Sequence, residues 1–250
     1  MFNYWAKGED NELAARYLND HLSGVVKSHP DSFLGLGTVP LQNVELAVRE
    51  LKRCRYDLPL SGLIIGTHIN DRSFDDPGLE PFWAAAEEHG VPLLVHPWDV
   101  TKAGGRWNKF WLPHIVGMTA ETTAAALSLA FSGVLERHPR LKLCFSHGGG
   151  SLPYLGARAR HGFEVYPDDM QQHVRRPPDD FLRRSPNLCA DTLVHDAGAL
   201  KLALEYFGEV FRRENGNFFN RFLDFNFFCL FYQDSLMLGS DYPFLLGEHV

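Results

Sequence analysis

Apolar positions recur along the chain in two alternating rhythms. Residues Asp10 to Lys27 place Leu13, Tyr17, Leu18, Leu22 and Val25 near helical spacing, and His29-Pro30 closes the segment. Phe33 to Pro40 then reads as a short strand ending in turn residues, and Val44 to Cys54 as a helix. The same alternation predicts a strand at Gly62 to Thr67, a helix at Leu79 to His89 stopped by Gly90, and a buried strand at Pro92 to Pro97. An alanine- and leucine-rich helix is expected over Thr119 to Glu136, followed by a strand at Leu141 to His147. Asn187 to Thr192 and Leu236 to Asp241 are the last strand candidates, with a helix at Ala197 to Phe207 between them. Six strands separated by helices or long crossovers predict an α/β fold with a parallel sheet.

Each predicted strand hands over to polar residues at its carboxyl end: Thr38, Thr67-His68, His96, His147, Asp191 and Asp241. That edge is where a (β/α)₈ barrel or an open α/β sheet builds its active site. The stretch from Glu209 to Ser235 breaks the pattern. It holds eight of the nineteen phenylalanines, follows neither period, and separates a helix from its strand by far more than the usual ~2–6 residues. We read 209–235 as sequence foreign to the domain; the plainer reading is a hydrophobic insertion on the outside of the barrel.

Composition narrows the picture. A 250-residue chain with 45% hydrophobic and 22% charged residues fits one large soluble domain or two small ones. A net charge of −7 offers nucleic acid no general attraction, and no apolar run reaches the ~18–20 residues of a membrane span. The four cysteines are widely spaced and form no C-x-x-C pair, and the N-terminus has no secretory pattern, so reduced thiols and a cytoplasmic location are expected.

Three side chains stand out chemically. His96, in Val-His-Pro-Trp-Asp, can serve a divalent metal through its imidazole, or can cap its strand. His147 opens Ser-His-Gly-Gly-Gly, where it can act as acid, base or ligand. Asp241, in Gly-Ser-Asp-Tyr-Pro-Phe, is a carboxylate ending an uncharged strand and needs a cation or several donors. Arg158 and Arg160 follow on a predicted helix, and Trp98 and Asp99 lie just beyond His96. His68, His195 and Asp191 read as polar caps.

Taken in order, His96-Pro-Trp-Asp99, Ser146-His-Gly-Gly-Gly150 and Gly239-Ser-Asp-Tyr-Pro-Phe244 resemble the metal-dependent decarboxylases of the amidohydrolase superfamily. Tyr4-Trp-Ala-Lys7, Gly66-Thr-His68, Trp111-Leu-Pro113 and Val116 to Thr122 match as well. The resemblance implies a (β/α)₈ barrel, here incomplete with about six of eight strands, formed by a single domain over 1–250. It implies Zn²⁺ as cofactor, with His96 and Asp241 as ligands and His147 and Asp241 as catalytic groups. It also implies Arg158 and Trp98 as substrate-binding residues, a dicarboxylate semialdehyde of tryptophan breakdown as substrate, and a homodimer in which Arg158 serves the neighbouring site. No nucleic acid or membrane partner is implied.

The chain departs from that family in one respect above all. Family members carry His-x-His on their first strand, and no two of the twelve histidines here stand two residues apart. The chain opens where those members have already passed two strands and stops soon after the last ligand strand. Weak zinc binding and poor or absent activity are therefore expected. Two other readings remain open: a hydrolase of the same superfamily, and a non-catalytic short isoform that pairs with an intact subunit.

Overall fold

The computed structural model describes residues 2–58, 60–100, 107–208 and the strand Leu236–Met237. The predicted alternation is present. Helix α1 (Gly8–Ser28) leads to β1 (Leu36–Gly37), α2 (Val44–Tyr56) to β2 (Gly62–Gly66), and α3 (Glu80–Glu88) to β3 (Leu93–His96). Then follow α4 (Met118–Phe131), α5 (Val134–Arg137), β4 (Leu143–Phe145) and α6 (Leu152–Val165). Short helices α7 (Pro167–Met170) and α8 (Asp179–Leu182) precede β5 (Leu188–Asp191), α9 (Ala197–Phe207) and β6 (Leu236–Met237). The six strands lie in sequence order, every neighbouring pair parallel. That is the order an unrolled stretch of (β/α)₈ barrel has.

In-register pairing sorts the strand residues into two faces, because successive side chains alternate. Leu63, Ile65, Leu93, Val95, Leu143, Phe145, Leu188 and Ala190 share one face and are buried. They form one core with Ala47 and Leu51 of α2, Phe82 and Trp83 of α3, Leu129 of α4 and Phe207 of α9. The other face carries Ile64, Gly66, Leu94, His96, Cys144, Ser146, Cys189 and Asp191, so every polar strand end among β2 to β5 falls on the side away from the helices.

The face of α1 that packs inward is not the apolar one. Asn11, Ala15, Asn19 and Ser23 are its buried residues, whereas Leu13, Tyr17 and Leu18 are exposed. The cause is a polar clamp. Asn19 accepts from the Thr38 backbone N–H at 2.8 Å and donates to the Thr38 carbonyl at 2.9 Å, which completes the edge of β1. It also donates to Glu50 Oε1 at 2.7 Å. Glu50 is fully buried on α2 and takes two further hydrogen bonds from Arg53, each 2.8 Å. Small and polar side chains are what let α1 approach β1 and α2 closely enough for these bonds.

A second polar fastening joins α3 to α5. Glu80 accepts two hydrogen bonds from Arg137, at 3.0 and 2.8 Å, and that guanidinium holds its carboxyl down at about 2. Cys54, Cys144 and Cys189 are buried reduced thiols, and burial pushes that of Cys54 up to about 12. Cys229 and the Phe-rich stretch 209–235 lie outside the described residues. No helix among the described residues is long and apolar enough to cross a membrane.

Candidate active site

The carboxyl ends of β2 to β5 form one rim, and register fixes who meets whom on it. Gly66 pairs with His96. Continuing the Val95–Phe145 and Phe145–Ala190 pairings by one residue sets Ser146 beside His96 and Asp191 beside Ser146. His96 Nδ1 stands 2.9 Å from the Pro97 carbonyl oxygen, a contact for which Nδ1 must carry a proton. In a neutral imidazole with that tautomer, Nε2 is the nitrogen that carries the lone pair a metal takes.

His147 reaches the same place by a different route. One residue after Ser146, plain strand alternation would aim it at the helix layer. Its φ of +56° breaks the alternation, and its ring meets that of His96 edge-on with centroids 5.1 Å apart. Left-handed backbone at a non-glycine residue is costly and collects at functional sites. The three glycines that follow also have positive φ. A Cβ on Gly150 would sit 2.3 Å from the Thr119 carbonyl oxygen, so only glycine lets this turn press against α4.

Asp191, at the end of β5, lies beneath that turn. One of its oxygens, Oδ1, accepts from the Gly148 N–H at 2.8 Å and from the Leu193 N–H at 3.1 Å. Burial pushes the carboxyl up, while the backbone N–H groups of Gly148, His147 and Leu193 pull against it. Sequence reading took Asp191 for a local cap. It does cap Leu193, but it also holds a turn 43 residues away. No local signal reports that partner; it follows from the pairing of β4 with β5.

Trp98 is half-buried and fully engaged. Its indole N–H donates to the His68 carbonyl at 2.8 Å, its ring stacks on His68 at 5.2 Å, and it meets Tyr4 edge-on at 5.2 Å. His68 has both ring nitrogens against backbone carbonyls, Asn70 at 2.8 Å and Trp98 at 3.1 Å, so it positions Trp98 and is no ligand. The indole also lies across Gly66, where a Cβ would come within 2.5 Å of Trp98 Cδ1. Gly66→Ala is therefore expected to destabilise the protein by about 1–3 kcal/mol. A lower urea midpoint, with loss of the hydrogen-bonded indole N–H signal, checks this.

The remaining expected residues divide. Arg158 is exposed on α6, whose buried residues are Leu152, Gly156 and Phe163, and among the described residues it makes no ion pair. Arg160 pairs with Glu164 at 3.4 Å and Asp180 at 3.9 Å, which is a structural role. His195 is exposed with a positive φ, and Asp196 caps α9 by accepting from the Ala199 N–H. Asp241 lies outside the described residues. The rim thus joins His96, His147 and Asp191. Among the described residues no group of three His, Cys, Asp or Glu side chains is arranged to hold a metal ion. Two adjacent imidazoles still suit a borderline divalent ion in kind, and a third donor has to come from elsewhere.

Comparison with known proteins bears on the family and the fold. The family model for amidohydrolases matches residues 2–209. The chain is 39% identical over 250 residues to 2-amino-3-carboxymuconate-6-semialdehyde decarboxylase of Dictyostelium discoideum, covering all of this chain and 62% of that relative's length. Among solved structures, 5-carboxyvanillate decarboxylase of Sphingomonas paucimobilis superposes with a TM-score of 0.76 at 28% identity, over 82% of this chain and 62% of that one. A dihydroxybenzoic acid decarboxylase from Polaromonas, solved with bound manganese and 2-nitroresorcinol, superposes with a TM-score of 0.72 at 25% identity, over 82% of this chain and 64% of that one.

Proposed function

The chain belongs to the amidohydrolase family, and from that footing we propose that it is a metal-dependent, non-oxidative decarboxylase. Its proposed substrate is 2-amino-3-carboxymuconate-6-semialdehyde, converted to 2-aminomuconate semialdehyde and CO₂ in the cytoplasm, with Zn²⁺ as the metal. The observation that carries this reading is the His96–His147 contact at 5.1 Å on the carboxyl rim of a parallel sheet. The decarboxylases similar to this chain, one of them manganese-bound, support the reaction class and a divalent ion.

Each residue has a definite part. His96, through Nε2, and Asp241 hold the ion, which when bound supplies Lewis acidity and acidifies water. His147 moves the proton that replaces the departing carboxylate. Trp98 packs a wall of the pocket. Arg158 projects outward from α6 beside the exposed Tyr154, where it can reach a second subunit's site and grip a substrate carboxylate with two hydrogen bonds. The working unit is accordingly a homodimer. Residues 209–235 remain assigned as foreign to the domain, and the amidohydrolase match stops at residue 209.

A catalytic zinc ordinarily takes three protein ligands. With two imidazoles at the rim and no His-x-His in the sequence, we expect loose metal binding, so that activity depends on added ion. The test is CO₂ release from the semialdehyde by purified chain at rising Zn²⁺ or Mn²⁺, with and without chelator. Metal-dependent release that is lost on dialysis is the expected result. No release at any metal concentration would sink the decarboxylase reading, and stoichiometric zinc that survives dialysis would sink the loose-binding one.

A further inference from the structure

Four loops leave the rim, and each holds a non-glycine residue in left-handed conformation close to its strand end: Asn70 after β2, Asp99 after β3, His147 after β4 and His195 after β5. His147 is the one whose side chain meets another imidazole. A strained φ persists only where surrounding groups over-determine it. What surrounds His147 is therefore informative.

On the far side the turn is wedged by packing. A Cβ on Gly149 would approach Phe207 of α9 to 2.5 Å, and one on Gly150 would strike the Thr119 carbonyl. Those contacts block movement outward, and within the turn the Gly149 N–H bonds the Ser146 carbonyl at 3.2 Å and the Gly150 N–H bonds the His147 carbonyl at 2.8 Å. On the near side, the Gly148 N–H, the very next backbone donor after His147, points at Asp191 Oδ1 from 2.8 Å. The same oxygen takes the Leu193 N–H at 3.1 Å and so is itself fixed by the start of its own loop.

We infer that Asp191 is a positioning residue: its carboxylate clamps the Gly148 peptide, and so holds the His147 imidazole against His96. This rests on the reading of His147 as the proton-moving group. It does not require Asp191 to touch substrate or metal. The geometry gives the clamp a direction. Losing the acceptor frees the left-handed turn to relax, and the His147 ring then leaves the position that strand alternation alone denies it.

The experiment compares Asp191→Ala with Asp191→Asn, which keeps an oxygen acceptor, in metal-free protein. Ring signals of His147 and His96 are followed by NMR, with the remote His161 as internal reference. Asn187→Ala serves as a purely structural control, since Asn187 lies ahead of β5 and bonds the Pro139 carbonyl. The expected result is displaced ring signals for both His147 and His96 in the alanine variant and near-native signals in the asparagine variant. The structural control should leave both rings unmoved. Co²⁺ affinity of the alanine variant should fall about 10–100-fold, the range seen when groups supporting metal sites are removed. Unmoved ring signals in Asp191→Ala would overturn the inference even if stability dropped. Should that variant fail to fold, Asp191→Ser is judged by the same criteria. The NMR measurement needs neither metal nor turnover, so an inactive wild-type chain would remove the decarboxylase reading and still leave the clamp decided.

Discussion

Truncating Arg53 to alanine is expected to destabilise the fold by about 3–5 kcal/mol. Removing it leaves Glu50, which has no exposed side-chain area, as a buried carboxylate held by the Asn19 amide at 2.7 Å and the Cys54 thiol at 3.8 Å, with Arg16 at 3.8 Å. Uncompensated buried charge is what makes such a loss large; the intact pair adds little over a hydrophobic replacement. Burial of the carboxylate therefore separates two variants cleanly. Arg53→Ala alone should lower the urea midpoint severely, while Arg53→Met combined with Glu50→Met should recover much of the loss. Equal destabilisation by the single and double variants would mean that lost packing, and not the orphaned charge, is responsible. Asn19 shares Glu50, so the damage should spread to the Thr38 backbone and the β1 edge.

His147→Ala is expected to reduce metal-supported decarboxylation by about 10²–10⁴-fold, the range for loss of a positioned proton-transfer group. Stability should hold or improve, because alanine removes the imidazole and little buried area. The readout is kcat at saturating metal, with the thermal midpoint beside it. His96→Ala should instead raise the metal concentration needed for half-maximal activity, since its Nδ1 faces the Pro97 carbonyl and Nε2 is the nitrogen assigned to the ion. If His147→Ala kept its rate within a few-fold while His96→Ala lost everything, His147 would be packing only, and the proton would have to move through another group.

How much of this was readable in advance depends on the range of the signal. Strand β3 and its terminal His96 announce themselves locally: a buried Leu-Leu-Val run needs a parallel sheet, and the following Pro97 ends it. The helix over residues 8–28 was equally plain, but its buried face was not. The apolar spacing of Leu13 and Tyr17 pointed the helix one way, and the Asn19 clamp on Thr38 and Glu50 turned it the other. His68 reads from the sequence as a polar cap, and its ring does meet two backbone carbonyls, those of Asn70 and Trp98. Asp191 was underrated, since its decisive partner belongs to a different strand's loop.

The amino-acid sequence by itself determined the order of elements, the parallel sheet and the edge at which polar side chains gather, because hydrophobic period and turn chemistry act over a few residues. It also carried the amidohydrolase motifs. The tertiary structure alone decided which of those polar groups share a space. Register set Gly66, His96, Ser146 and Asp191 in one row, and one left-handed backbone angle brought the His147 ring back across the rim to His96. Both are consequences of contacts between segments tens of residues apart, and such contacts leave no mark on the local pattern of either segment.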